Sequence, residues 1–228
     1  MESTQEQPVL TPRLRLVPIG PEHADDLWLV HNDDAVVAWY DGWRPSHEEA
    51  AAHAQHIADS WRLHGVHKWM AYDRRSGEVV GRGGLSRTPI DDDWGQLYAF
   101  LPDEPWVREA HHSDRPFRAH ARWFEIGWAL RRTHWGQGYA CEIGTAGLAY
   151  AFDVLRARAV VSCTVRHNVR SRSVMDRIGM RYAGEIHSRG IVEGESTPRD
   201  DAPFAVYVSR APSPPGRSTG PGRAGASS

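Results

Sequence analysis

Hydrophobic and polar residues alternate along several stretches of the chain, and this period of two predicts strands that are buried on one face. In residues 9–17, Leu14 and Leu16 fall on one side while Arg13 and Arg15 fall on the other. Further strands are predicted over residues 68–72, 78–85, 123–130 and 159–165, and two final strands flank residues 189–201. These segments together predict a sheet of about seven strands.

Helices are predicted where the apolar period lengthens to three or four residues and capping residues stand at the ends. Ser46 and Glu49 have the spacing of a capping box, and Gly179 stands where a left-handed residue ends a helix. The predicted helices cover residues 21–30, 46–63, 138–155 and 171–178. Strands and helices in this order predict an α/β (α+β) domain with helices on both faces of a mixed sheet.

Two stretches lack such a pattern. Residues 86–121 contain Asp91-Asp-Asp-Trp94 and His111-His112 without a regular period, so we interpret them as an insertion. Residues 211–228 are dominated by Pro, Gly and Ser, a composition typical of disorder. The sequence therefore predicts one domain over residues 1–210 and a disordered tail.

Composition and charge exclude several classes of protein. The 228 residues are 40% hydrophobic and 25% charged, as in a globular domain, and the net charge of −2 does not favour nucleic acid or a membrane surface. The first residues, Met-Glu-Ser-Thr-Gln-Glu-Gln, lack the basic and apolar regions of a signal peptide. We expect a cytoplasmic protein.

The candidate chemistry begins at the glycine-punctuated turn after residues 123–130. Gly136 and Gly138 keep side chains out of this turn, so backbone N–H groups can converge at the positive end of the following helix. The third glycine of a dinucleotide fingerprint would fall at Cys141, and no Gly-Lys-Ser/Thr of a P-loop follows. The turn predicts a site for a phosphorylated ligand.

The turn is one of several ordered landmarks. The others are Glu125-x-Gly127-Trp128-x-Leu130, Asn168-x-x-Ser171, Gly179-Met180, the opening Leu10-Thr-Pro-Arg-Leu-Arg-Leu16, and Arg199-Asp200 with Tyr207. Together they closely resemble the GCN5-related N-acetyltransferases (GNAT), and within them the RimJ/RimL-like branch of ribosomal-protein N-terminal acetyltransferases. The resemblance spans roughly residues 9 to 209, and the chain departs from it most at the insertion, because the matching connection in the family is shorter.

The resemblance implies a GNAT fold, whose mixed, mostly antiparallel sheet is splayed in the middle, and acetyl-CoA as cosubstrate. The pantetheine arm would enter the slot beside residues 123–130, the pyrophosphate would lie on the glycine turn, and a backbone N–H near Trp128 or Ala129 would stabilise the oxyanion. The implied cofactor-binding residues are Trp128, Ala129, Leu130, Arg131, Thr133, His134, Trp135, Gly136, Gln137, Gly138, Tyr139, Ala140, Asn168 and Ser171.

The catalytic candidates are Glu125, as the base that deprotonates the amine, and Ser171, as the acid that protonates the leaving thiolate. Each has a structural alternative. Glu125 can pair with an arginine or cap a neighbouring backbone group. Ser171, like Asn168, can begin a helix. Glu185 and His187 are substitute bases. Trp94, Trp106 and Trp123 are candidate walls of an acceptor pocket.

The leading hypothesis is an N-acetyltransferase that moves an acetyl group from acetyl-CoA to a primary amine by direct attack in a ternary complex. The acceptor is a protein N-terminus or a small amine, no metal is expected, and a homodimer is compatible with the chain. One alternative is a non-catalytic acyl-CoA-binding or regulatory module. Another is a nucleotide-phosphate binder that uses only the glycine turn.

Overall fold

The computed structural model describes residues 7–40, 42–87, 94–105, 107, 123–195 and 197–211. The strands are β1 (Val9–Leu10), β2 (Leu14–Pro18), β3 (Lys68–Asp73), β4 (Val79–Ser86), β5 (Trp123–Leu130), β6 (Ala159–Val165), β7 (Arg181–Ile191) and β8 (Pro198–Arg210). The helices are α1 (Ala24–His31), α2 (Asp34–Val37), α3 (His47–His64), α4 (Tyr139–Ala149) and α5 (Val169–Arg177). Within these ranges no helix combines the length and apolar character needed to cross a membrane.

The strands form a mixed eight-stranded sheet in the order β1-β2-β3-β4-β5-β6-β8-β7. Only the β5–β6 pair is parallel among the pairings of the described strands. Helices α1 and α3 cover one face, where they pack on Met70 and Tyr72. Helices α4 and α5 cover the other face, where Ile143 and Met175 are buried. The fold class predicted from the sequence is confirmed.

The prediction of one strand over residues 9–17 is wrong. The segment forms two strands, β1 and β2, joined by a tight turn in which the Thr11 N–H donates to the Leu14 carbonyl and the Leu14 N–H donates to Thr11 Oγ1, each at 2.9 Å. Pro12 stands in this turn and has no N–H to donate to a strand partner. The sheet therefore has eight strands rather than about seven.

Two predicted helix boundaries are also corrected. The helix predicted over residues 138–155 is α-helical only to Ala149 and continues as a π-helix over Tyr150–Val154. The helix predicted over residues 171–178 begins at Val169, because Asn168 rather than Ser171 caps its first turn. Asn168 Oδ1 accepts a hydrogen bond of 3.1 Å from the Ser171 N–H.

The described part of the insertion packs on the sheet. A 3-10 turn at Trp94–Phe100 places Leu97 and Tyr98 in a buried cluster with Ile186 and Val206. Gln96 holds this segment to β7 through hydrogen bonds to the backbone of His187, of 2.7 Å to its carbonyl and 3.2 Å from its N–H. The predictions for the rest of the insertion, including Asp91-Asp-Asp93 and His111-His112, and for residues 212–228 lie outside the described residues.

Candidate active site

A cavity of about 1090 Å³ runs from the glycine turn to the middle of the sheet. Its walls come from the α2 segment, the second half of β5, the first turn of α4, strand β6 and the start of α5. The cavity exists because β5 and β6 separate. Their pairing covers only Trp123–Glu125 against Ala159–Val161, and beyond it the Ser162 hydroxyl donates a hydrogen bond of 2.8 Å to the Ile126 carbonyl.

The glycine turn forms one end of the cavity. Gly136 and Gly138 have φ angles of +75° and +83°, a left-handed conformation that only glycine adopts without strain. Gly138 is the N-cap residue of α4 and has no side chain to cap the helix. The first N–H groups of α4 therefore have no intrahelical acceptor and lie at the positive end of the helix dipole. This arrangement suits a phosphate group.

An ion pair between the β1–β2 turn and α4 holds the glycine turn in place. The Arg13 guanidinium lies 2.8 Å from the Glu142 carboxylate, and the Arg13 N–H donates to the same carboxylate at 2.8 Å. Arg13 Nη1 also donates to the Gln137 carbonyl at 2.8 Å. Thr11 Oγ1 donates a short hydrogen bond to Glu142. The β1–β2 hairpin and the glycine turn are thus fixed to each other.

Tyr139 adds a second attachment. Its hydroxyl donates a hydrogen bond of 2.6 Å to Asp73 Oδ2, and the Arg13 guanidinium stacks on its ring at 4.4 Å. The hydrogen bond from Tyr139 and those from the backbone of Ser76 and Arg75 hold the pKa of Asp73 below its ordinary value. Strand β3 therefore also anchors the first residue of α4.

The cavity is strongly electropositive. Seven cationic side chains and one carboxylate are found among its described lining residues: Lys68, Arg82, Arg87, Arg132, Arg170, Arg177 and Arg189 against Glu125. Arg132 and Arg170 both stack on the Trp135 ring, each at 5.1 Å from its centre. Trp135 thereby brings an arginine from α5 next to an arginine of the turn. A polyanionic ligand fits this end of the cavity.

Glu125 lies at the other end, half-buried, in an ion pair with the buried Lys68. Its Oε2 lies 2.6 Å from Lys68 Nζ and accepts a hydrogen bond of 2.8 Å from the Ser86 hydroxyl. Lys68 Nζ also donates to the Gly84 carbonyl at 3.0 Å. Burial lowers the pKa of Lys68, and the neighbouring carboxylate of Glu125 opposes that shift. The alternative that Glu125 pairs with an arginine is wrong, because its cationic partner is a lysine.

Gly127 makes room for this ion pair. Glu125 and Gly127 are on the same face of β5, and Gly127 pairs across the sheet with Gly84, which in turn pairs with Lys68. A Cβ atom at position 127 would lie 2.8 Å from Glu125 Oε1 and 3.6 Å from Lys68 Nζ. The Glu-x-Gly spacing thus lets the carboxylate lie along its own strand with Oε2 held and Oε1 above Gly127.

Asn168 and Ser171 lie where β6 leads into α5. Asn168 is buried and uses its Oδ1 as the helix cap, as the structural alternative for this residue predicted. Ser171 is in the first turn of the helix rather than at the cap, and it lines the cavity. Both residues therefore face the slot that the separation of β5 and β6 creates.

Most of the residues predicted to bind a cofactor come together in the structure. The ones that line the cavity are Trp128, Ala129, Leu130, His134, Trp135, Gly136, Gly138, Tyr139, Ala140, Asn168 and Ser171. Arg131, Thr133 and Gln137 do not line it. Arg131 Nη1 instead donates to the Val79 carbonyl at 3.3 Å, and Gln137 Nε2 donates to the Thr133 carbonyl at 3.0 Å.

Several lining residues were not predicted from the sequence. Lys68, Ser86 and Arg82 enter the cavity from β3 and β4, and Trp39, Tyr40 and Trp43 enter from the segment after α2. The alternation of β3 and β4 could have marked the first three as a polar set on one face, but no local pattern pairs them with Glu125.

Other residues predicted to form the acceptor pocket or to act as a base do not line the cavity among the described residues. Trp123 is buried in the core beside Tyr98, and the side chains of Trp94 and Trp106 lie outside the described residues. Glu185 and His187 do not line the cavity either. Glu185 instead pairs with Arg166 at 3.2 Å.

Comparison with known proteins agrees with this geometry. Residues 13–181 match the model of the acetyltransferase (GNAT) domain. The FsC-acetyl coenzyme A-N(2)-transacetylase of Aspergillus fumigatus is 28% identical over 198 residues, which cover 83% of this chain and 74% of the relative.

Two solved structures show the same fold at low identity. The GNAT-family acetyltransferase from Bacillus anthracis superposes with a TM-score of 0.63 at 16% identity, covering 90% of this chain and 98% of that one. The ribosomal-protein-S5-alanine acetyltransferase from Vibrio fischeri superposes with a TM-score of 0.64 at 10% identity, covering 90% and 97%. Since the family model spans well over half of the chain, this protein belongs to the GNAT acetyltransferase family.

Proposed function

We propose that this acetyltransferase moves an acetyl group from acetyl-CoA to a primary amine, by direct attack of the amine in a ternary complex. The observation that carries the proposal is the single cavity that joins the glycine turn to the Lys68–Glu125 pair along the separated strands. One end suits phosphates and the other end has a carboxylate in place for proton transfer.

The cofactor end is supported by shape and by charge. The pyrophosphate would accept hydrogen bonds from the N–H groups at the start of α4, with Arg132 and Arg170 beside it. The amide-bearing pantetheine arm would lie in the slot beside Trp128–Leu130 and pair with the unpaired edge of β5 as an added strand does. Acetyl-CoA would thus contact both the glycine turn and the slot between β5 and β6.

The chemical step follows from the position of Glu125. The amine gives its proton to Glu125 Oε1, directly or through water, while Lys68 and Ser86 hold Oε2. The amine nitrogen then forms a bond to the thioester carbonyl carbon, and a backbone N–H near Trp128 or Ala129 stabilises the oxyanion. When the C–S bond breaks, the CoA thiolate leaves and takes a proton from the Ser171 hydroxyl. The tetrahedral intermediate gives up the second amine proton, which passes through water to restore the Ser171 hydroxyl, and Glu125 releases the first proton to solvent.

A covalent acyl-cysteine route through Cys163 has less support. Cys163 lines the cavity, but burial raises the pKa of its thiol and the Glu125 carboxylate raises it further. The thiol therefore stays protonated, and a protonated thiol is a poor nucleophile.

The acceptor is a small amine or a protein N-terminus. The Aspergillus fumigatus relative is named as an acetyl coenzyme A N(2)-transacetylase, and the Vibrio fischeri structure as a ribosomal-protein-alanine acetyltransferase. The first relative, 28% identical over most of this chain, supports acetyl-CoA as the donor, while the sequence landmarks and the fold support the RimJ/RimL-like alternative, so both classes of acceptor are candidates.

A non-catalytic acyl-CoA-binding module is the second candidate. One observation favours it: Lys68 and Ser86 both donate hydrogen bonds to the Glu125 carboxylate, and a carboxylate that only stabilises the fold would make the same contacts. Binding of acetyl-CoA without amine-dependent release of free CoA thiol would establish this alternative.

The first experiment tests the cofactor end. Calorimetric titration of the protein with acetyl-CoA should show one-site binding, and Gly138→Asp should abolish it, since aspartate strains the left-handed turn and repels phosphate. Gly194→Asp is the matched control, because Gly194 has a φ of +84° and an added Cβ there meets nothing within 4 Å. Equal binding by the two variants would contradict the proposed phosphate site.

The second experiment tests the base. Thiol release with a panel of amines should show a kcat about 10²- to 10³-fold lower in Glu125→Gln, with unchanged affinity for acetyl-CoA, because glutamine keeps the shape and loses the proton acceptor. Glu185→Gln, at an ion pair that does not line the cavity, should behave like the unaltered protein. A Glu125→Gln variant with full kcat would remove Glu125 from the mechanism.

A further inference from the structure

Arg82 is a buried cation on the wall of the cavity. The residue is 8% exposed and extends from β4 on the same face of the sheet as Glu125 and Lys68. Its Nε donates a hydrogen bond of 3.2 Å to His31 Nε2, and its Nη2 donates one of 2.9 Å to the Tyr40 hydroxyl. Its guanidinium also lies over the Tyr40 ring at 5.5 Å.

Both partners of Arg82 are electrically neutral. His31 accepts with Nε2 and is therefore the unprotonated imidazole, and burial, followed by the charge of Arg82, lowers its pKa to about 2. Among the described residues no carboxylate lies within ion-pair distance of Arg82, whereas Lys68 has Glu125 and Arg13 has Glu142. A buried charge without a counter-ion is costly unless a ligand supplies one.

The cofactor does not account for this charge. Strand β4 lies beside β5 on the side opposite β6, whereas the cofactor slot is between β5 and β6. Arg132 and Arg170, at the glycine turn, are placed for phosphates. Arg82 instead contacts Tyr40, which lines the cavity together with Trp39 and Trp43.

We propose that Arg82 binds a carboxylate of the acceptor, so that the acceptor is an amine of the amino-acid class rather than a simple amine or polyamine. A guanidinium binds carboxylates through paired N–H groups, and Nη1 of Arg82 has no hydrogen-bond partner among the described residues. Ala129 lies opposite Arg82 on β5, and Glu125 lies two positions farther along the same face of that strand. The amine end of the acceptor then reaches Glu125. The inference rests on the proposed acetyl transfer and narrows its substrate.

The test uses pairs of amines that differ only in the carboxylate. Thiol release from acetyl-CoA is measured with L-lysine against cadaverine, L-ornithine against putrescine, and alanyl peptides with a free or an amidated C-terminus. The carboxylated members should have kcat/KM values about 10- to 100-fold higher, the range of a charge-assisted hydrogen-bond pair. Binding of each amine to the CoA-loaded protein is followed by calorimetry in parallel.

Variants then connect the preference to Arg82. Arg82→Met should erase the advantage of the carboxylated members by raising their KM, and Arg82→Lys should restore part of it. Arg15→Met is the control, since Arg15 is exposed, stacks on Tyr72 at 4.8 Å and does not line the cavity. Because the preference is measured first on the unaltered protein, the test does not depend on the folding of a variant.

The outcomes separate the two proposals. Equal kcat/KM and equal binding of carboxylated and neutral members would overturn the role of Arg82 and leave acetyl transfer standing. Preferential turnover of the amidated peptides would also overturn the role of Arg82, and it would favour protein N-termini as acceptors. If no amine releases thiol, acetyl transfer fails, while the calorimetric comparison still decides whether Arg82 prefers a carboxylate.

Discussion

At the scale of single residues, Glu125 and Gly127 are two positions apart on one strand, and the glycine determines where the carboxylate lies. Without a Cβ at position 127, Glu125 Oε1 lies along the strand while Oε2 pairs with Lys68 from β3. Lys68 is buried and Glu125 is half-buried, so solvent screens their attraction less than that of a surface pair.

This position predicts the effect of Gly127→Ala. The added methyl group would lie 2.8 Å from Glu125 Oε1, so the carboxylate must move and kcat should fall about tenfold or more. Affinity for acetyl-CoA should change little. Gly95→Ala is the control, because a Cβ there meets nothing within 4 Å. The proposed carboxylate position is wrong if Gly127→Ala turns over at the rate of the control.

At the scale of elements, the glycine turn is held from outside its own segment. Arg13 and Thr11 of the β1–β2 hairpin bind Glu142 on α4, and Asp73 of β3 binds Tyr139. These attachments keep the first turn of α4 directed at the cavity, so the anion site is formed before the ligand arrives.

Loss of one attachment should weaken cofactor binding. Glu142→Gln removes the charge that holds Arg13, and we expect a Kd for acetyl-CoA several-fold higher and a free energy of unfolding lower by about 1 kcal/mol, since Arg13 is 46% exposed. Titration calorimetry and urea unfolding measure the two effects. Glu195→Gln, which breaks an exposed pair with Arg199, should change neither. Unchanged cofactor affinity in Glu142→Gln would show that the hairpin does not organise the turn.

At the scale of the whole molecule, three elements meet in a group of uncharged histidines. His31 of α1 and His53 of α3 have ring centres 5.7 Å apart, and His67 precedes β3. Burial, aided by nearby Arg82, lowers the pKa of His31 to about 2 and that of His53 to about 4. Burial, followed by the charge of Lys68, lowers that of His67 to about 3.

These shifts predict acid sensitivity. The unfolded chain takes up protons on these histidines below pH 6.5 and the folded chain does not, so their stabilising contribution is complete above pH 6.5 and is lost as the pH falls. The free energy of unfolding should fall between pH 6.5 and 5 by up to about 1.4 kcal/mol per pH unit for each histidine. Urea unfolding from pH 8 to 5 measures this slope.

A single variant identifies the source of the slope. His53→Gln should lower the slope of the unfolding free energy against pH by the contribution of nearly one proton. His47→Gln, at an exposed histidine stacked on Trp28, should leave the slope unchanged. A slope that is identical in both variants would remove His53 from the acid response.

Much of the fold was predictable from sequence because its signals are local. Alternation marked the central strands, and the sequence Ser46-x-x-Glu49 gives the capping box that begins α3 in the structure. The errors arose where a local exception interrupts a regular pattern. Pro12 divides the first strand, and the cap at Asn168 moves the start of α5 by two residues.

The sequence by itself determined the family, the sheet with its helices and the glycine turn, because period, glycine conformation and capping act within a few neighbouring residues. Only the tertiary structure decided which groups surround the amine. Lys68 is 57 residues from Glu125, and Arg82 is 51 residues from His31. Such pairs leave no period in the sequence, because strand register and burial bring them together only after the chain has folded.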